Sequence, residues 1–171
     1  MESLRTYLFD ITENGDPLSH PCLIADLRSQ VHHTIEVLPS ATAIDQYTCG
    51  MHAFHLVDDE EYRELARLHP EGYASTDFVR YLICHGVLVQ LDTARPDCLV
   101  VYFNQGDIKH IGRTVSREVI VSKWVTGHLY RHALFELPSS YGTEVKFYAD
   151  IDRGTAIDWL KKFIQSKLVS R

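Results

Sequence analysis

The sequence predicts an α+β domain: helices first, a meandering antiparallel β-sheet second, and a closing helix last. Three observations carry this. Segments 48–85 have helical periodicity and capping signals. Segments 87–150 break into six short runs rich in β-branched and aromatic residues, separated by turn residues. The tail "TAIDWLKKFIQSKLV" spaces Ile157, Leu160, Ile164 and Leu168 as one helical stripe, with lysines opposite.

In chain order, "ITENGDPLSHP" (11–21) is turn-rich and predicts a loop, and residues 22–38 carry no periodicity that assigns a type. Thr48 is a candidate N-cap for a helix reaching about Val57. "DDEEYRELARLH" places acids at its start and Arg and His at its end, which suits a helix dipole, with Tyr62, Leu65, Ala66 and His69 on one face. "STDFVRYLICHG" predicts a helix capped by Ser75 or Thr76 and stopped by Gly86. The predicted strands are "VLVQLD", "CLVVYFN", "IKHIGRTVS", "EVIVSKW", "HALFELP" and "EVKFYAD", joined through "TARPD", "NQGD", "TG" and "PSSYGT".

With 171 residues the chain predicts one domain, and 45% hydrophobic residues suffice for a core without disulfides or metals. Acidic residues outnumber basic ones, 23 to 17, and no Lys/Arg stripe is present, which argues against a nucleic-acid partner. No window approaches about 18 apolar residues, so no membrane span is expected. The N-terminus lacks a basic start followed by an apolar stretch, so the expected setting is cytoplasmic, with Cys22, Cys49, Cys84 and Cys98 as free thiols.

"YTCGMHAFHLV" (47–57) puts Cys49 in front of a helix-like run. A helix N-terminus and a nearby imidazolium both favour a thiolate. His110, on "IKHIG", is the candidate base, with Gly112 leaving room beside its ring. The plainer alternative makes Cys49 a small buried hydrophobe. A metal reading of Cys49, His52 and His55 suffers from their i, i+3, i+6 spacing, which strains three ligands on one helix; no metal or other cofactor is expected. The Tyr47 hydroxyl is a candidate oxyanion donor beside the Cys49 N–H. Lys123 and Trp124 are expected to be a solvated charge and sheet packing, and Asp107 a turn residue.

"CLVVYFNQGDIKHIGRTVSREVIVSKW" resembles the core sheet of NlpC-type, papain-like cysteine peptidases and amidases, whose pattern is D-L-V-x-F … H-V-G-x-Y-x-G … x-x-I-H. "YTCGMHAFHLV" resembles their nucleophile segment, although it has "CGMHAF" where "CSGF" is commoner. The resemblance spans residues 45–125, a catalytic core between an N-terminal extension (1–44) and a C-terminal part (126–171). It implies a papain-like layout and a Cys49 nucleophile with His110 as base. It further implies amide-bond hydrolysis through an acyl-thioester, on a peptide or protein amide. The family's third polar residue is usually His, Asn or Gln; here its place falls at Ser122, with His132 as a substitute. An acyltransferase or deamidase using the same pair, and a non-catalytic binding module of the same fold, are the alternatives.

Overall fold

The computed structural model describes residues 2–70, 73–124 and 127–169. Among these, six helices flank a seven-stranded sheet in which every neighbouring pair is antiparallel. The helices are α1 (Glu2–Asn14), α2 (His20–Leu27), α3 (Cys49–Ala53), α4 (Glu60–Leu68), α5 (Thr76–Cys84) and α6 (Arg153–Val169). The strands are β1 (Glu36–Leu38), β2 (Gln90–Leu91), β3 (Leu99–Asn104), β4 (Asp107–Thr114), β5 (Val119–Lys123), β6 (Leu129–Ala133) and β7 (Glu144–Tyr148). Their order across the sheet is β1-β6-β5-β4-β3-β7-β2, which sets β4 at its centre.

β3 explains why both faces are covered. Leu99 to Phe103 are all buried, so the strand has no solvent side. Leu99, Val101 and Phe103 join Ile108 and Ile111 in a core shared with α3 to α6. Val100 and Tyr102 join Ile120, Trp124 and Tyr130 in a second core, capped by Leu4 and Leu8 of α1 and Ile24 and Leu27 of α2. The first core is centred on Phe78, whose ring meets Phe54 at 5.7 Å and Phe163 at 5.6 Å. Removing that ring would cost roughly 3–5 kcal/mol.

Local signals account for most element ends. Thr48, Asp59 and Ser75 cap α3, α4 and α5 by accepting from Met51, Tyr62 and Phe78 N–H groups. Gly86 follows α5 with φ of 68°. The β3–β4 turn needs positive φ at both central residues, and Gln105 and Gly106 adopt 52° and 83°.

Several expectations need correction. The N-terminal segment is helical: Leu4, Leu8 and the partly buried Ile11 form a stripe, and the loop expected at 11–21 shrinks to Gly15–Asp16 and a 3-10 turn at Pro17–Ser19. α3 ends at Ala53, not Val57, and His55 sits at φ of 57°. "VLVQLD" pairs only through Gln90 and Leu91. The strand expected at "HALFELP" lies earlier, at Leu129–Ala133, where it can pair with β5. Thr126 of the expected "TG" turn lies outside the described residues. In α6, Ile157, Leu160 and Ile164 are buried, but Leu168 is 47% exposed because the helix outruns the core.

Candidate functional site

Cys49 is the first residue of α3, and two contacts fix that end of the helix. Thr48 Oγ1 accepts the Met51 N–H at 3.2 Å, and Gly50 packs on the Ala74 carbonyl so closely that no Cβ fits there. The Cys49 side chain is half-buried, and the N–H groups of Ile111, Gly50 and Cys49 itself are directed at its sulfur. Only a donor stabilises a thiolate, so all three amides, with the Lys123 ammonium, pull the thiol pKa down. Burial outweighs them and holds it above its ordinary value. The lowered thiol pKa expected from the helix terminus is therefore not the resting state.

Ile111 is the chain neighbour of His110, and neighbouring residues of a strand point to opposite faces. α3 is thus docked on the Ile111 face of β4, and the His110 ring lies on the opposite, α1–α2 face with Tyr102 and Tyr141, so the structure does not bring the expected Cys49–His110 pair together. His110 is buried, stacked on Tyr141 at 4.2 Å, and opposite Tyr102 across the β3–β4 ladder. Among the described residues its Nε2 has no hydrogen-bond partner, and no hydrogen bond joins it to Cys49. Burial first, then the positive charges of His132, His52 and Lys123, push its pKa well below the usual imidazole range. Cys49 and His110 both rest neutral.

The Tyr141 that stacks on His110 comes from a 3-10 turn, Ser139–Tyr141. α1 holds this turn in place: the Arg5 guanidinium donates to the carbonyls of Leu137, Pro138 and Gly142. The N-terminal extension is therefore part of the wall behind the candidate base.

Ser122 shares the His110 face of the sheet. It fills the space Gly112 leaves, with its Cβ 2.8 Å from where a Gly112 Cβ would stand. It does not orient His110. Its Oγ lies 2.8 Å from His132 Nε2 and accepts from Trp124 Nε1 at 3.1 Å. His132 Nδ1 donates to the Ala133 carbonyl at 2.8 Å, which fixes the tautomer and leaves Nε2 to accept the Ser122 hydroxyl proton. The chain Trp124–Ser122–His132–Ala133 is complete only with neutral His132. Its pKa falls to about 4, chiefly through burial. His132, the substitute orienter, thus reaches His110 only as a nearby charge.

Tyr47 is buried, and its hydroxyl has no partner among the described residues. Its ring lies under the Lys123 ammonium, 4.9 Å away. Lys123 is fully buried, which corrects the expectation of a solvated charge. Strand alternation explains the split. Ser122 turns with Ile120 and Trp124 towards the α1–α2 core, so Lys123 points to the other face, where α3 packs on β5. Trp124 packs in the sheet as expected, stacked on Tyr130 at 4.2 Å. Asp107 opens β4 after the turn and pairs with Arg80.

His52 and His55 do not converge with Cys49 into a ligand set; among the described residues no three His, Cys, Asp or Glu side chains are placed to hold a metal ion. Burial, then the charges of Arg113 and His55, lower the His52 pKa to about 4. No described helix is long and apolar enough to cross a membrane. No family model, curated protein or solved structure matches this chain.

Sequence reasoning missed Lys123 and the part His132 plays with Trp124. A detectable signal was present in "VIVSKW": a lysine directly between a serine and a tryptophan that both point inward must leave through the opposite face, and that face is covered by the Cys49 helix.

Proposed function

We propose that the chain is a cysteine-dependent amide hydrolase or acyl transferase with an NlpC-type, papain-like arrangement. The observation that carries this reading is the placement of Cys49 at the Thr48-capped start of α3, with the N–H groups of Ile111, Gly50 and Cys49 itself directed at its sulfur.

In this mechanism Cys49 Sγ attacks the carbonyl carbon of an amide while its proton passes to water. The carbonyl oxygen takes up the negative charge. The Cys49 N–H and the Tyr47 hydroxyl, which has no partner among the described residues, are the donors available for it. Collapse breaks the C–N bond; the amine leaves with a proton from water, and the acyl group remains on Cys49 as a thioester. Water or an acceptor amine then attacks the thioester, loses its proton to water, and the departing sulfur takes a proton back. Because the thiol rests neutral, ionisation accompanies substrate binding and does not precede it.

The test is acyl-adduct formation from a panel of activated acyl esters and peptide amides, read by intact mass and peptide mapping. We expect an adduct on Cys49 that disappears in Cys49→Ala. No Cys49 adduct from any probe overturns the reading. The neutral thiol and the separation of His110 from it favour one competing reading, a binding module without the chemistry. That module would form no adduct.

A further inference from the structure

A cleft of about 760 Å³ lies between the 3-10 turn at Pro17–Ser19 and the connection that runs from β1 to α3. Its size is that of a ligand site, roughly 300–1,000 Å³. Its surface is mostly apolar. Leu18 of the turn is 72% exposed and Val37 of β1 37%, and Pro39 and Ile44 of the connection line it too. Large apolar side chains left in water around a concavity mark a contact surface. β1 is also an edge strand. It pairs with β6 alone, and among the described residues its main-chain groups make no other hydrogen bond. An open strand edge beside an apolar cleft suits an extended chain, whose main chain pairs with the edge while side chains enter the cleft. Charge then selects the chain. Asp16 and Asp45 line the cleft from its two walls; both are exposed, and neither forms an ion pair among the described residues. No Lys or Arg lines it, and His128 is the one other titratable group on its described surface. Lys123, which feels Asp45, is buried and does not line the cleft. Glu36 of β1 is already paired with Arg131 of β6.

We propose that this cleft binds an extended basic peptide, in which Lys or Arg alternates with apolar residues, as a strand added to β1. The peptide's main chain pairs with the open edge, its apolar side chains cover Leu18, Val37 and Ile44, and its cations meet Asp16 and Asp45. β1 is three residues long, so main-chain pairing is brief, and apolar contact and charge carry much of the recognition. A small amine would find the carboxylates but leave the apolar surface in water, and an acidic segment would meet two like charges. The proposal goes beyond amide chemistry and stands whether or not Cys49 is a nucleophile. The connection that walls the cleft continues into the Thr48 cap, so the bound peptide lies on the segment that leads to α3.

The experiment titrates the isotope-labelled full chain with four probes and follows its amide NMR signals at roughly 0.15 M salt, where long-range attraction is screened. The probes are acetyl-Val-Lys-Val-Lys-Val-amide, the same peptide with Glu for Lys, the Lys peptide with alternate main-chain nitrogens methylated, and butylamine. The Lys peptide is expected to shift the Val37, Leu38 and Ile44 amides in a saturable way. The Glu peptide, the methylated peptide and butylamine should each bind at least about tenfold more weakly. The double variant Asp16→Asn/Asp45→Asn should weaken the Lys peptide about tenfold. It keeps the fold, because an Asn oxygen still accepts the Leu18 N–H that Asp16 holds at 3.3 Å, and Asp45 is exposed. Val37→Lys, which sets a like charge on the open edge, is an independent variant expected to weaken it equally. Four results overturn the proposal: no saturable shift at Val37, Leu38 and Ile44, equal binding of the Lys and Glu peptides, wild-type affinity in the two charge variants, or a methylated peptide or butylamine that binds as tightly as the Lys peptide.

Discussion

The Trp124–Ser122–His132–Ala133 chain makes acid lability a quantitative expectation. With His132 neutral, Trp124 Nε1–H donates to Ser122 Oγ, the Ser122 hydroxyl donates to His132 Nε2, and His132 Nδ1–H donates to Ala133. Protonating Nε2 sets one donor against another: Ser122 must turn its hydrogen away from His132 and lose that bond, while its oxygen takes both N–H groups. The folded-state pKa of His132 is about 4 against an ordinary 6.5. Because the pKa is lowered, the unfolded chain binds the proton more readily between those values. The His132 contribution is thus fully present above pH 6.5 and is lost as pH falls towards 4. Between pH 7.5 and 4.5 the loss from this one group is about 2–3 kcal/mol. That is a large part of a domain stability of roughly 5–15 kcal/mol. The assay is urea unfolding at both pH values in wild type and His132→Gln, which has no proton to gain. His110, His52 and the carboxylates act in both proteins, so the comparison isolates His132. His132→Gln should be less stable at pH 7.5 and should lose about 2–3 kcal/mol less than wild type on acidification. An equal loss in the two proteins would refute the hydrogen-bond assignment.

Ser122→Ala strips an acceptor from Trp124 Nε1 and a donor from His132 Nε2, and should cost about 1–3 kcal/mol in urea unfolding while changing the Cys49 acylation rate little, because Ser122 lies on the opposite sheet face. Gly112→Ala puts a methyl 2.8 Å from the Ser122 Cβ and 3.1 Å from Ile120 Cγ2; pushing β5 off β4 should lower stability by about 1–3 kcal/mol, measurable as a shifted urea midpoint. Thr48→Ala removes the α3 cap and should cost about 1 kcal/mol, together with slower acylation of Cys49, because the first turn of α3 positions the sulfur. Replacing the Arg5 side chain by Leu frees the turn that carries Tyr141, so near-ultraviolet circular dichroism should change at Tyr141 and the His110 pKa, followed by NMR, should rise as water reaches the ring.

Much of the architecture is legible because it rests on local rules. The Thr48 and Ser75 caps, the α4 charge order, the "NQGD" turn and the α6 stripe each depend on residues a few positions apart, and each recurs in the structure near its expected place. α1 was also written locally, in the spacing of Leu4, Leu8 and Ile11, but the turn residues after it drew attention to the wrong feature. The position of β6 was not legible, because strand ends are set by the partner strand, and the runs 129–133 and 132–138 both suit a strand taken alone.

By itself, the sequence determined that the protein is α+β, that Cys49 opens a helix, and that His110 and Gly112 share a strand face. These follow from periodicity and capping, which act within one element. Only the tertiary structure decided what faces each group. It gave Ser122 to His132 and Trp124 in place of His110, set His110 on the sheet face opposite Cys49, turned Lys123 inward beneath Tyr47, and left the His110 Nε2 and Tyr47 hydroxyl without partners among the described residues. It also reversed the expected ionisation of the thiol. The amides of a helix terminus favour a thiolate, a property readable from the chain; desolvation opposes it, and burial depends on how α3 packs against β4 and β5, which no stretch of sequence encodes alone.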